Sequence, residues 1–156
     1  MVLVRRFLVL IALMFWQGGF TFYVSVAVPI GTAVLGSALR QGFITRQVTG
    51  WLNVSAAVAL AVLAAELALC HEASRWRKWS RAVLWAFMLA CQVQLFRLHA
   101  ILDAMMEEKG RLVLDPEAFY PIHRVYLWTH TAQWAAGLVF VAVTLLAWRA
   151  EDRTGR

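Results

Sequence analysis

The sequence predicts an all-α polytopic membrane protein, a four-transmembrane-helix bundle forming one membrane domain over residues 1–156. Three observations carry that prediction. With 62% hydrophobic and only 15% charged residues, the chain is too apolar for a soluble core of its size. Four apolar segments, about 7–28, 49–70, 81–102 and 125–148, can each cross a hydrocarbon layer of about 30 Å at 1.5 Å per residue. The basic residues gather at the ends of these segments rather than along a polar face. A lipid-embedded backbone must satisfy its own hydrogen bonds, so helices and no strands are expected.

The first segment follows Arg5 and Arg6, as in a signal peptide, and Ser25 and Ala27 satisfy the small-residue rule for cleavage. Its apolar part, Phe7 to Val28, is too long for a signal core, so an uncleaved first helix is expected. Pro29 and Gly31 leave two outcomes open, a stop or a kinked helix continuing to about Leu39. The second segment carries Glu66 one turn inside its end, where a buried carboxylate can carry a proton, hold a cation or pair with Arg75 or Arg77. Between the second and third segments lies Ser74-Arg75-Trp76-Arg77-Lys78-Trp79-Ser80-Arg81, a basic-aromatic run suited to an anionic membrane surface. Eight residues between two spans leave no room for a nucleic-acid groove, and nucleic acid is excluded as a partner. The loop 103–124 before the fourth segment carries Asp115-Pro116-Glu117, the signature of a short surface helix that folds back.

Orientation follows from the charges. The side with both termini holds nine basic residues, Arg5, Arg6, Arg75, Arg77, Lys78, Arg81, Arg149, Arg153 and Arg156, and the other holds six, Arg40, Arg46, Arg97, Lys109, Arg111 and Arg124. Both termini are expected in the cytoplasm of a cell whose inner, or plasma, membrane houses the protein. Cys70 and Cys91 fall at different depths and are expected as free thiols used for packing.

Helices in lipid associate through small residues and interhelical hydrogen bonds, so polar residues mark inward faces. Gln17, Thr21 and Ser25 recur every four residues beside Gly18 and Gly19. Gln92, His99 and Asp103 share a stripe on the third span; His123, Tyr126, His130, Gln133 and Gly137 share one on the fourth. Because these two spans run in opposite directions, His99, Asp103, His123 and His130 should all lie near the outer boundary, with His71 at the opposite face. Four functional readings follow. The polar groups tie the bundle of a non-catalytic structural or assembly protein, which meets other membrane proteins or a second copy through Gly18 and Gly137. Alternatively, His99, Asp103, His123 and His130 bind a transition metal, or His99 and His130 ligate a haem. A small proton-coupled transporter would use Glu66 and Gln92. No Ser/His/Asp or Cys/His arrangement points to nucleophilic catalysis.

The segment Phe15-Trp16-Gln17-Gly18-Gly19-Phe20-Thr21-Phe22-Tyr23, with Ala27-Val28-Pro29-Ile30-Gly31 and Leu35-Gly36, resembles the first-helix pattern of bacterial four-helix membrane proteins grouped as a domain of unknown function. Phe119-Tyr120-Pro121-Ile122-His123-Arg124 is similar to the start of their last helix. These short motifs are spread over most of the chain and imply an integral membrane protein without a known activity. A weaker likeness links the chain to four-helix membrane proteins of the copper-resistance and haem-dependent oxidase kind. The sequence departs from them in lacking a histidine early in the first span, and Met105 and Met106 do not make a methionine-rich export motif.

Overall fold

The computed structural model describes residues 2–70, 74–107 and 112–153. Four helices, α1 (Val2–Leu35), α2 (Ala38–Leu69), α3 (Arg75–Ala104) and α4 (Pro116–Arg153), are each long and apolar enough to cross a membrane. The protein is a multi-pass all-α bundle. The four expected spans match these helices to within one residue at Leu69, and most of the helices run further at their ends. Arg40 and Arg46, assigned to a loop by sequence, thus ride on the first turns of α2.

The connection from α1 to α2 explains why the chain turns where it does. Gly36 adopts φ +61°, the left-handed conformation that ends a helix and that only glycine accepts without strain. Ser37 then caps α2, its hydroxyl accepting from the Arg40 N–H at 3.3 Å. Pro29 stays within α1 and does not stop it. Just before it, the helix opens into a π turn at Tyr23–Ala27, following an earlier one at Met14–Gly18. The Val28 N–H reaches back five residues to the Tyr23 carbonyl. Two such turns rotate the face of α1, so the expected inward stripe of Gln17, Thr21 and Ser25 breaks up. Gln17 and Tyr23 are buried, while Thr21 and Ser25 are exposed and bond back to the carbonyls four residues earlier, at 2.7 and 2.6 Å; of these two only Thr21 keeps the expected tie to a neighbour, its hydroxyl accepting from Trp134 Nε1 on α4 at 3.0 Å.

Two further expectations are corrected between α3 and α4. A short antiparallel ribbon, β1 (Met106–Glu107) against β2 (Leu112–Val113), breaks the no-strand expectation where the chain leaves the spans. Asp115 and Pro116 do start a helix, with the Asp115 carboxylate accepting from the Ala118 N–H at 3.0 Å. That helix is no separate surface segment. It passes through Pro121 and continues as α4.

The faces of the helices divide cleanly. Val9, Leu13, Leu60, Leu63, Met88 and Phe140 form one core cluster, and Leu95, Leu98, Leu102 and Tyr126 a second. Large apolar side chains also cover the outside, including Leu3, Phe15 and Trp51 at 81, 74 and 74% exposure. Outward apolar surface on every helix is what a lipid-facing bundle requires. Both cysteines are free thiols.

At the end carrying both termini, buried charge ties all four helices together. The Glu66 carboxylate is buried and accepts from Trp148 Nε1 at 2.8 Å and from Arg81 at 3.4 Å. Arg5 Nε stands 3.1 Å from its other oxygen, as an ion pair without hydrogen-bond alignment. Arg5 also donates to Glu151 at 2.7 Å, and Arg6 to Glu151 and Asp152 at 2.9 and 2.8 Å. Glu66 therefore pairs with Arg5 and Arg81 rather than with Arg75 or Arg77. An antiparallel hairpin sets residues equally far from its turn at the same depth, which brings Arg81 level with Glu66. His71 lies outside the described residues.

Removing one partner of a buried ion pair strands the other charges, at about 3–5 kcal/mol. Glu66→Gln is expected to lower the unfolding free energy in detergent by about 3 kcal/mol. Thermal unfolding of the purified variant checks this, and an unchanged transition would mean that the network contributes nothing.

Candidate functional site

A chain of hydrogen bonds crosses the middle of the bundle. Gln133 Nε2 donates to the Met88 carbonyl and to Gln92 Oε1, both at 3.0 Å. Gln92 Nε2 donates to the Asn53 carbonyl at 3.2 Å, and Asn53 Nδ2 to the Tyr126 hydroxyl at 3.2 Å. This chain joins α2, α3 and α4, and Gln92 and Gln133 play in it the inward role that their stripes suggested. Gln17 joins from α1, donating to the Trp134 carbonyl at 3.5 Å. A Cβ at Gly137 would overlap the Gln17 amide, so glycine is what admits that side chain. Gly137 is consequently used inside the bundle, whereas Gly18 has open space around it.

Beyond Tyr126, toward the end opposite the termini, the helices part around a cavity of about 430 Å³. Its wall is mainly apolar and aromatic, with Phe20, Val24, Leu52, Leu102 and Phe119 among the lining residues. One polar patch comes from α1 and α2, where the Tyr23 hydroxyl donates to Thr45 Oγ1 at 3.0 Å and Gln41 Nε2 reaches that hydroxyl at 3.4 Å. Gly31 makes room for it, since a Cβ there would overlap the Gln41 amide.

The four residues grouped by sequence at the outer boundary, His99, Asp103, His123 and His130, all line this one cavity. They do not form a metal centre: among the described residues, no three His, Cys, Asp or Glu side chains lie together closely enough to hold a metal ion. Each packs instead against a different neighbour. Asp103 pairs with Arg46. His123 stacks on Phe119 with ring centroids 5.6 Å apart. His130 stacks on Phe20 at 5.0 Å and meets Tyr126 edge-on at 4.8 Å. His99 lies beside Tyr126 at 6.2 Å.

His130 is nonetheless incomplete. Only 5% exposed, it keeps its Nε2 buried without a hydrogen-bond partner. An orphaned polar atom in an apolar interior is costly, and this one sits on the cavity wall. Tyr23, Gln41, Thr45 and Asn53 were not singled out by sequence. Asn53 had a signal, as a lone amide within an apolar run; Tyr23 had none, because the π turns that aim it inward leave no mark in the spacing.

Comparison with protein-family models, curated proteins and solved structures found no match to this chain.

Replacing a buried unsatisfied group by an apolar one of similar shape is near neutral, whereas removing one partner of a buried hydrogen bond is not. His130→Phe is expected to keep unfolding stability within about 1 kcal/mol of the wild type. Asn53→Ala is expected to lose about 1–2 kcal/mol through its broken link to Tyr126. Paired thermal unfolding curves test both, and a His130→Phe protein less stable than Asn53→Ala would show that the imidazole is already satisfied.

Proposed function

We propose that this is a ligand-binding membrane protein whose cavity takes a small, mainly apolar molecule bearing one polar end. The polar end meets His130, and the body lies against the aromatic wall. A cavity of about 430 Å³ falls within the range of small-molecule sites, which are lined by apolar and aromatic side chains with a few polar anchors. The observation that carries the reading is the unpartnered Nε2 of His130 on that wall. A neutral imidazole can offer either a donor or an acceptor there. A ligand soluble in the bilayer would reach such a cavity without crossing water.

The orientation proposed is the one the basic residues favour, with both termini cytoplasmic and the cavity toward the outer face of the plasma membrane. Other functions draw less support. Proton-coupled transport would need a carboxylate free to exchange, and Glu66 is held by Arg5, Arg81 and Trp148. An assembly role keeps Gly18 as a candidate helix-contact point but loses Gly137 to the interior.

The test is to isolate the protein in native-membrane nanodiscs, extract it and identify retained organic molecules by mass spectrometry. Wild type is expected to carry one recurrent amphipathic compound near one equivalent, and His130→Phe at least tenfold less with an unchanged fold. Equal retention by both proteins, or no compound beyond bulk lipid, would sink the proposal.

A further inference from the structure

A second site lies at the opposite end of the bundle and is independent of the cavity. There the start of α3 and the last turns of α4 leave an open groove of about 350 Å³ lined by Arg77, Leu146, Arg149, Ala150 and Arg153. Arg149 and Arg153 are four residues apart, so their stems rise from the same side of α4. Leu146 continues that side into the span and is 55% exposed.

The charges here are unlike those of the neighbouring network. The acids flanking these arginines on α4, Glu151 and Asp152, are bonded to Arg5 and Arg6. Among the described residues, neither Arg149 nor Arg153 has an ion-pair partner. The groove thus presents the guanidiniums of Arg149 and Arg153, which no acid among the described residues pairs. Its depth is marked by Trp76 and Trp79 on the first turns of α3, exposed at 78 and 65%, as interfacial tryptophans at the headgroup level are.

We infer that this groove binds the phosphate of an anionic phospholipid, with the phosphate between the guanidiniums and the upper acyl chain along Leu146. Guanidinium matches phosphate geometry through paired N–H donors, and basic pockets between transmembrane helices hold anionic headgroups in this way. A free phosphate compound shares the headgroup chemistry but has no use for the apolar edge that Leu146 supplies.

Thermal unfolding of the full-length protein in a neutral detergent, titrated with phosphatidylglycerol, phosphatidylcholine or inorganic phosphate, tests this. A saturable rise in Tm with phosphatidylglycerol alone is the expected result. At about 1 kcal/mol per arginine near an anionic surface, R149Q/R153Q should raise the lipid concentration needed about thirtyfold, leaving the lipid-free Tm unchanged. R149K/R153K keeps the charge while removing the paired donors, and should fall between wild type and the glutamine variant; it also decides the matter if the glutamine variant does not fold. Equal responses to the two lipids, or a wild-type response in both double variants, would overturn the site. The same rise with inorganic phosphate would overturn the lipid assignment in favour of a soluble phosphate compound.

Discussion

A polar group inside a lipid-facing bundle has no water to turn to, so it must find its partner in the protein. The interior of this molecule is organised by that constraint. Gln133, Gln92, Asn53 and Tyr126 pass hydrogen bonds from one helix to the next, and glycine at 137 opens the space through which Gln17 reaches the backbone of α4. Each such bond is worth only about 0.6 kcal/mol on average in a membrane protein, but an unmade one leaves a polar group in an apolar medium. The amide chain therefore sets which helix faces meet more than it sets how stable they are.

The two ends of the bundle obey the constraint differently. At the terminal end, Glu66 is deep enough to need charge compensation, and Arg5 and Arg81 supply it from α1 and α3 while Trp148 adds a hydrogen bond from α4. Arg5 and Arg6 then bind the acids at the end of α4, so the first and last helices are fastened near their termini. That end is closed. At the other end the helices diverge, the lining becomes aromatic, and one imidazole nitrogen is left over. Tight charge pairing at one end and an incompletely satisfied cavity at the other are what a scaffold with a binding mouth would show.

Much of this was legible in the sequence, for reasons that differ by residue. The four spans could be read because length and hydropathy are direct consequences of bilayer thickness. The inward stripe of Tyr126, His130, Gln133 and Gly137 could be read because α4 keeps a regular helical period there. The gathering of His99, Asp103, His123 and His130 followed from the opposed directions of α3 and α4. What failed depended on departures from regularity. The stripe on α1 was misread because two π turns shift its phase, and the partners of Glu66 were misread because the nearest arginines in sequence, Arg75 and Arg77, sit on the first turn of α3 rather than at its depth. The metal reading counted ligand types; their engagement with Arg46, Phe119, Phe20 and Tyr126 depends on packing that spacing does not encode.

The central claim is the proposed one, that the buried His130 Nε2 on the cavity wall, unpartnered in the protein, is completed by a bound molecule. A high-resolution structure of the protein kept in native-membrane lipid from extraction to imaging tests this most directly. The account predicts continuous non-protein density filling the cavity, with one atom at hydrogen-bonding distance, about 2.7–3.2 Å, from His130 Nε2. A collapsed cavity, or a single water bridging His130 to a neighbouring side chain, would contradict it.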